Sequence, residues 1–298
     1  VTLDNEARWA NGSIGFTKYV FDGEDPVPAT VTELPDGAEF RVRIDGIDPS
    51  LPAGTDFPAV GEVITLNAAN DWSWASDEVL PRDTVVTFSE VDPAPLDGMD
   101  WARPFYYVAA DAGEPEDRNT AQIVAGERAE IQIRNRPVPT ADVVIDKVVT
   151  GVKGKQVTEH SSTMFQVTAT WTDPDDEPRS CILDVRPDGT MTPTVECDAV
   201  VIGDRVQFPL DTEITFVETG AKTDVPNVEW GNVSWAVEGG DAELDTIEGE
   251  PTGVVVTLTG DPGDRVTLEL EAETSSRGLI FIPIPIPIPG FGCNCNGG

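Results

Sequence analysis

The chain has 298 residues, 39% of them hydrophobic, which is enough for two ordinary domains with sizeable cores and too apolar for disorder throughout. Its 54 acidic against 19 basic side chains give a formal net charge of −35, a field that repels nucleic acid and anionic membranes and excludes both as partners. One histidine and four cysteines without paired CxxC spacing exclude a zinc centre and a His-dependent triad, and no run of about 18 apolar residues is present to span a membrane.

Val1 to Asn5 reads as the end of a strand. Ile14, Phe16, Lys18 and Val20 follow at a spacing of two, so a lysine shares the apolar face of a strand. Phe40 to Ile44 alternates next. Trp72 and Trp74 flank Ser73 on one face, a spacing that means core packing more often than a binding patch. In the stretch Thr84 to Glu90, the residues Val86, Phe88 and Glu90 point inward together. A tryptophan-bearing strand is expected from Trp101 to Val108. The turn Ala125 to Arg128 then opens a last strand, on which Ile131, Ile133 and Asn135 share a face.

After a short proline-bearing linker the landmarks recur, displaced by about 130 residues. Lys147 lies in phase with Val143, Ile145 and Val149, and Glu218 with Ile214 and Phe216. The tryptophan strand returns as Trp230 to Val237, and the turn as Pro262 to Arg265. Further alternating runs lie at Phe165 to Trp171 and Val254 to Leu258, and no long stretch has a helical period. The expected organisation is all-β, as tandem Ig-like sandwiches. Residues 1–11 form the last strand of a preceding repeat, 12–138 the first complete repeat, 139–276 the second, and 277–298 an extended tail. The chain is therefore expected to be a segment of a longer array, with Asn5 serving a lysine upstream.

Between the second repeat's strands, Cys181 and Cys197 bracket the turn Pro187-Asp188-Gly189, and a hairpin through it brings them within disulfide reach. The alternative is a pair of reduced buried thiols. The acidic loop Asp173 to Glu177 is a weak calcium candidate without EF-hand spacing. In the tail, alternating Ile and Pro over residues 282–289 removes half the backbone donors, which suits an extended rod for spacing or docking and not a helix or central strand. Cys293 and Cys295 follow, one residue apart, and are candidates for intermolecular bridges. No metal site or cofactor is expected, and no catalytic constellation supports an enzyme.

Lys18, Glu90 and Asn135 each put a polar group on a buried face, where an isolated charge is costly, so the three are expected to meet. Burial disfavours the charged forms of both amine and carboxyl. A neutral lysine beside a protonated glutamate can attack the asparagine carboxamide, the acid polarising its carbonyl and carrying protons as ammonia leaves. The motifs Phe16-Thr17-Lys18, Thr87-Phe88-Ser89-Glu90 and Ile131 to Asn135 resemble those of the CnaB-like (collagen-binding-protein B-type) repeats of Gram-positive and actinobacterial surface proteins and pilins. The resemblance covers both repeats and implies nucleophile, catalytic acid and crosslink partner for Lys18, Glu90 and Asn135. In the second repeat Ala272 stands where Asn135 would be, so Lys147 and Glu218 are expected to remain a buried pair without an amide.

These readings imply a non-enzymatic stalk segment of an extracellular bacterial surface or cell-wall protein, its partners the neighbouring repeats and, through the tail, other copies. The alternative is an adhesin module that binds host protein or glycan through loops at a sandwich end.

Overall fold

The computed structural model describes residues 11–276, apart from positions 24, 33, 36, 78, 92, 94–95, 109–117, 161 and 248–251. Asn5, the Ile-Pro tail, Cys293 and Cys295 lie outside the described residues.

The described chain is almost entirely β-structure, as the two-residue periodicity requires, arranged as sandwiches. In the first, strand Asn11–Asp22 runs parallel to strand Arg128–Asn135, which in turn pairs with Phe105–Val108. The facing sheet has the order Thr120–Gln122, Val85–Val91, Phe40–Asp48, Val63–Leu66. Ile14, Phe16, Phe40, Phe88, Ile131 and Ile133, all at 0% exposure, interdigitate between the two.

The second sandwich repeats the plan. Strand Pro137–Gly151 runs parallel to Arg265–Ser276, with Arg205–Pro209 and Val228–Gly239 flanking them. Its facing sheet contains Pro178–Val185, Met164–Thr172, Glu213–Lys222 and Gly253–Leu258. A separate core gathers around Phe165, Phe208, Phe216 and Leu268. Each core therefore has its first and last strands side by side and parallel.

Three features differ from the sequence reading. The tryptophan strand of the first sandwich is divided into Met99–Trp101 and Phe105–Val108, because Pro104 between them has no N–H to continue a ladder. Its counterpart, Val228–Gly239, is one strand of 12 residues. The proline-bearing linker is itself β-structure: Pro137, Val138 and Pro139 pair with Trp101, Asp100 and Met99, so one strand crosses the expected boundary at 138/139. A short α-helix, Gly154–Thr158, follows the strand carrying Lys147 and buries Val157, a single turn too short to show a periodic pattern. Among the described residues no helix is long and apolar enough to cross a membrane.

Candidate functional site

Lys18 and Asn135 are delivered by the two parallel strands of one sheet, and Glu90 by strand Val85–Val91 of the facing sheet. The period of two turns all three side chains into the same interlayer space. Lys18 and Asn135 are both at 0% exposure, and the Glu90 side chain is at 1%. Lys18 Nζ lies 2.6 Å from Glu90 Oε1 and donates to Asn135 Oδ1, while Asn135 Nδ2 donates to Glu90 Oε2 at 2.8 Å. The three groups thus close a ring of hydrogen bonds. The carboxyl meets the nitrogen of the carboxamide, whereas the sequence reading aimed it at the carbonyl oxygen, which accepts from Lys18 itself.

Aromatic side chains wall this ring. Lys18 Nζ sits 3.8 Å from the centroid of the Phe40 ring, which packs edge-on against Trp101 at 5.0 Å and Trp72 at 5.9 Å. Tyr106 Oη accepts the backbone N–H of Glu90 at 2.8 Å. Neither Phe40 nor Tyr106 was singled out from sequence as part of the site. The available signal was Phe40's counterpart, Phe165, which begins a similar alternating run in the second repeat. Burial lowers the Lys18 amine to a pKa of about 8, against the opposing pull of the Glu90 charge and hydrogen bond. An amine in that range is deprotonated often enough to act as a nucleophile at neutral pH.

The second core has a related pair. Lys147 Nζ donates to Glu218 Oε2 at 2.6 Å, with side-chain exposures of 0% and 8%. Its amine lies 4.3 Å from the centre of Phe165, which packs edge-on against Trp230 at 5.2 Å. Ala272 is buried and stands opposite Val149, as Asn135 stands opposite Val20 in the first core. No carboxamide therefore comes from that register position.

No family model matches the chain, and no curated protein matches it. Among solved structures, it is similar to a streptococcal ancillary pilin at 13% identity and TM-score 0.36, over 90% of this chain and 63% of the pilin. An adhesin from Mobiluncus mulieris containing intramolecular disulfide, isopeptide and ester bond crosslinks matches at 9% identity and TM-score 0.31, over 89% of this chain and 99% of that one. The minor pilin of Streptococcus agalactiae matches at 10% identity and TM-score 0.28, over 89% of this chain and 97% of the pilin. The chain thus spans less than two thirds of the ancillary pilin, and at these scores the likenesses carry nothing about its chemistry.

Cys181 and Cys197 stand opposite each other on Pro178–Val185 and Met191–Cys197 and are joined as a disulfide, closing a separation of 16 residues. Gly189, at a φ of 82°, makes the turn between those strands. In the acidic loop, the Asp173 carboxylate accepts the backbone N–H groups of Asp175 and Glu177 and pairs with Arg179 at 2.7 Å. Among the described residues no group of three or more His, Cys, Asp or Glu converges as a metal site. Trp72 packs on Phe40, and Trp74 stacks on Phe16 at 6.0 Å and meets Phe57 edge-on at 6.0 Å. Both tryptophans therefore serve the core.

A polar cluster absent from the sequence reading lies where the two sandwiches meet. Gln207, fully buried, donates to Asp97 Oδ1 and Asp142 Oδ1 at 2.8 Å each and accepts from the Gly98 N–H and the Thr140 hydroxyl at 3.1 Å each. Arg205 bridges Asp97 and Asp142 at 2.9 and 3.3 Å. Gly98, at a φ of 75°, lies so close to the Pro262-Gly263 backbone that a Cβ would fall 2.8 Å from the Gly263 nitrogen.

Proposed function

We propose that this chain is a load-bearing segment of an extracellular bacterial surface stalk, built from CnaB-like repeats, whose first repeat joins Lys18 to Asn135 through an internal amide. The observation that carries the reading is the meeting of a buried amine, carboxyl and carboxamide in one hydrogen-bonded ring. The geometry supports the following reaction. The neutral Nζ attacks Cγ of Asn135, forming the new C–N bond as the Cγ–Nδ2 bond breaks. Glu90 takes a proton from Nζ at Oε1 and delivers one to Nδ2 from Oε2, so nitrogen departs as ammonia and the carboxyl ends as it began. No oxidant is consumed and there is no turnover.

Strand order supports a mechanical role. Because the first and last strands are parallel, the chain enters the sandwich at one pole and leaves it at the other, so tension along the array shears their ladder. An amide between them diverts that load around residues 19–134 and acts as kinetic stability. The Cys181–Cys197 bond suits an oxidising compartment outside the cell, and the repeats on either side in the array are the natural partners.

Intact-mass measurement of the non-reduced chain tests the reading. The expected mass is that of the sequence less one ammonia for the amide and two hydrogens for the disulfide. A mass lacking only the two hydrogens would refute the crosslink.

A further inference from the structure

The second core repeats the amine, the carboxyl and the aromatic floor of the first site without its carboxamide. Lys147 stands opposite Leu270 and Val149 opposite Ala272, just as Lys18 stands opposite Ile133 and Val20 opposite Asn135. Each lysine lies over a phenylalanine, Phe40 or Phe165, that packs edge-on against a tryptophan, Trp101 or Trp230. Each amine lies 2.6 Å from a glutamate oxygen. Burial lowers the Lys147 amine, with Glu218 pulling the other way, as in the first core. The backbone N–H of the acid is satisfied in both, by the Tyr106 hydroxyl for Glu90 and by the Thr252 carbonyl at 3.1 Å for Glu218. What differs at the reacting centre is that Ala272 offers a methyl where Asn135 offers a carboxamide.

We propose that Lys147 and Glu218 form a second amide-forming pair, intact as nucleophile and proton carrier, that lacks only an acceptor at position 272. In the native chain the two remain an ion pair, because position 272, the buried register counterpart of Asn135, carries a methyl and no carbonyl carbon to attack. A carboxamide placed there meets the same chemistry: Nζ bonds to its carbon, the carbon–nitrogen bond of the amide breaks, and Glu218 moves one proton from Nζ to the nitrogen that leaves as ammonia. This inference rests on the reaction proposed for the first repeat, so its test must separate the two.

The experiment is intact mass and peptide mapping of the full chain carrying Ala272→Asn, beside the parent. The parent is expected to be lighter by one ammonia and the variant by two, with a branched peptide joining Lys147 to position 272. Lys147→Arg in the variant background should abolish the second loss and leave the first. To give the larger side chain room, Ala272→Asn is also made with Val233→Ala, which trims the residue facing position 272 across the ladder. Folding is verified by the Cys181–Cys197 bond and a cooperative transition. A parent that loses ammonia, with folded variants that lose no more, would overturn this proposal and leave the first crosslink standing. A parent that loses none removes the first crosslink, whereas the branched peptide in the variant alone would still support the second pair. Failure of both variants to fold also overturns the proposal, because it requires room for a carboxamide.

Discussion

Lys18 and Asn135 sit on neighbouring parallel strands, and the residue directly opposite Asn135 is Val20, two positions beyond the lysine on the same face. That offset lets a long amine side chain lean along the strand to reach a short carboxamide. An amide between them closes a loop with a sequence separation of 117 residues, worth about 5 kcal/mol in the chain-entropy model for crosslinks. Asn135→Ala should therefore show no ammonia loss relative to its own sequence and lower the stability of the first core by roughly that amount. Chemical denaturation followed by the tryptophans of the first core measures it, and an unchanged midpoint would contradict the crosslink.

Glu90→Gln tests the proton carrier separately from the scaffold. The substitution keeps the shape and removes the group that takes the proton from Nζ. The expected result is a folded chain of unreacted mass, or one that converts slower than the parent by about a hundredfold or more, the usual contribution of a positioned acid–base group. Time-resolved intact mass after refolding reads the rate, and conversion at the parental rate would remove Glu90 from the reaction.

The unreacted amine should also leave a pH signature. In Asn135→Ala, which keeps the burial and the Glu90 contact that set it, the Lys18 amine is expected to titrate at its ordinary 10.5 when unfolded and at about 8 when folded. Between those values the unfolded chain binds more protons, so stability rises with pH, by up to about 3 kcal/mol for a shift of this size. Below about 8 both states are charged and the penalty of burying the charge is fully present. Lys18→Met in the Asn135→Ala background should flatten that rise, and the crosslinked parent should lack it because an amide nitrogen does not titrate. Denaturation curves from pH 7 to 11 distinguish the cases.

Reduction of the Cys181–Cys197 bond should act on the second core alone. A separation of 16 residues corresponds to about 3 kcal/mol in the same entropy model. Cys181→Ser with Cys197→Ser is expected to lower the unfolding midpoint of the second core and leave that of the first in place, measured by denaturation with separate tryptophan probes. Loss of both transitions together would show that the cores unfold as one.

At the junction, Gly98→Val should force the Met99–Trp101 strand away from Gly263, since both the positive φ and the close backbone approach exclude a branched side chain. Gln207→Leu leaves the Gly98 N–H and the Asp142 carboxylate short of a partner, at a cost of about 1–3 kcal/mol. Limited proteolysis near Asp97 to Arg103 and small-angle scattering should both report a loosened joint. Unchanged cleavage and scattering would mean the Pro137–Pro139 ladder suffices without Gln207.

How much of this could be read in advance depends on the range of the interaction. Alternation over a few residues already put Lys18, Glu90 and Asn135 on apolar faces, because a side chain's face is a property of its own strand. The hairpin joining Cys181 to Cys197 was equally local, since its turn and its two strands are contiguous. The recurrence of landmarks placed Ala272 at the asparagine position, and the ladder Val149 to Ala272 puts it there in space.

Other relationships needed the tertiary structure. A period of two names a face without naming the strand beside it, so the parallel pairing of the first and last strands, the Phe40 floor and the contact between Glu90 and the amide nitrogen were decided by sheet assembly. Proline usually marks a break in strands, yet Pro137 and Pro139 lie in one, because the ladder there is short and their missing donors leave only some of its bonds unmade. The Gln207 cluster draws on residues up to 110 positions apart, none unusual by itself. Local composition determined which side chains would be buried, and long-range pairing determined which of them would touch.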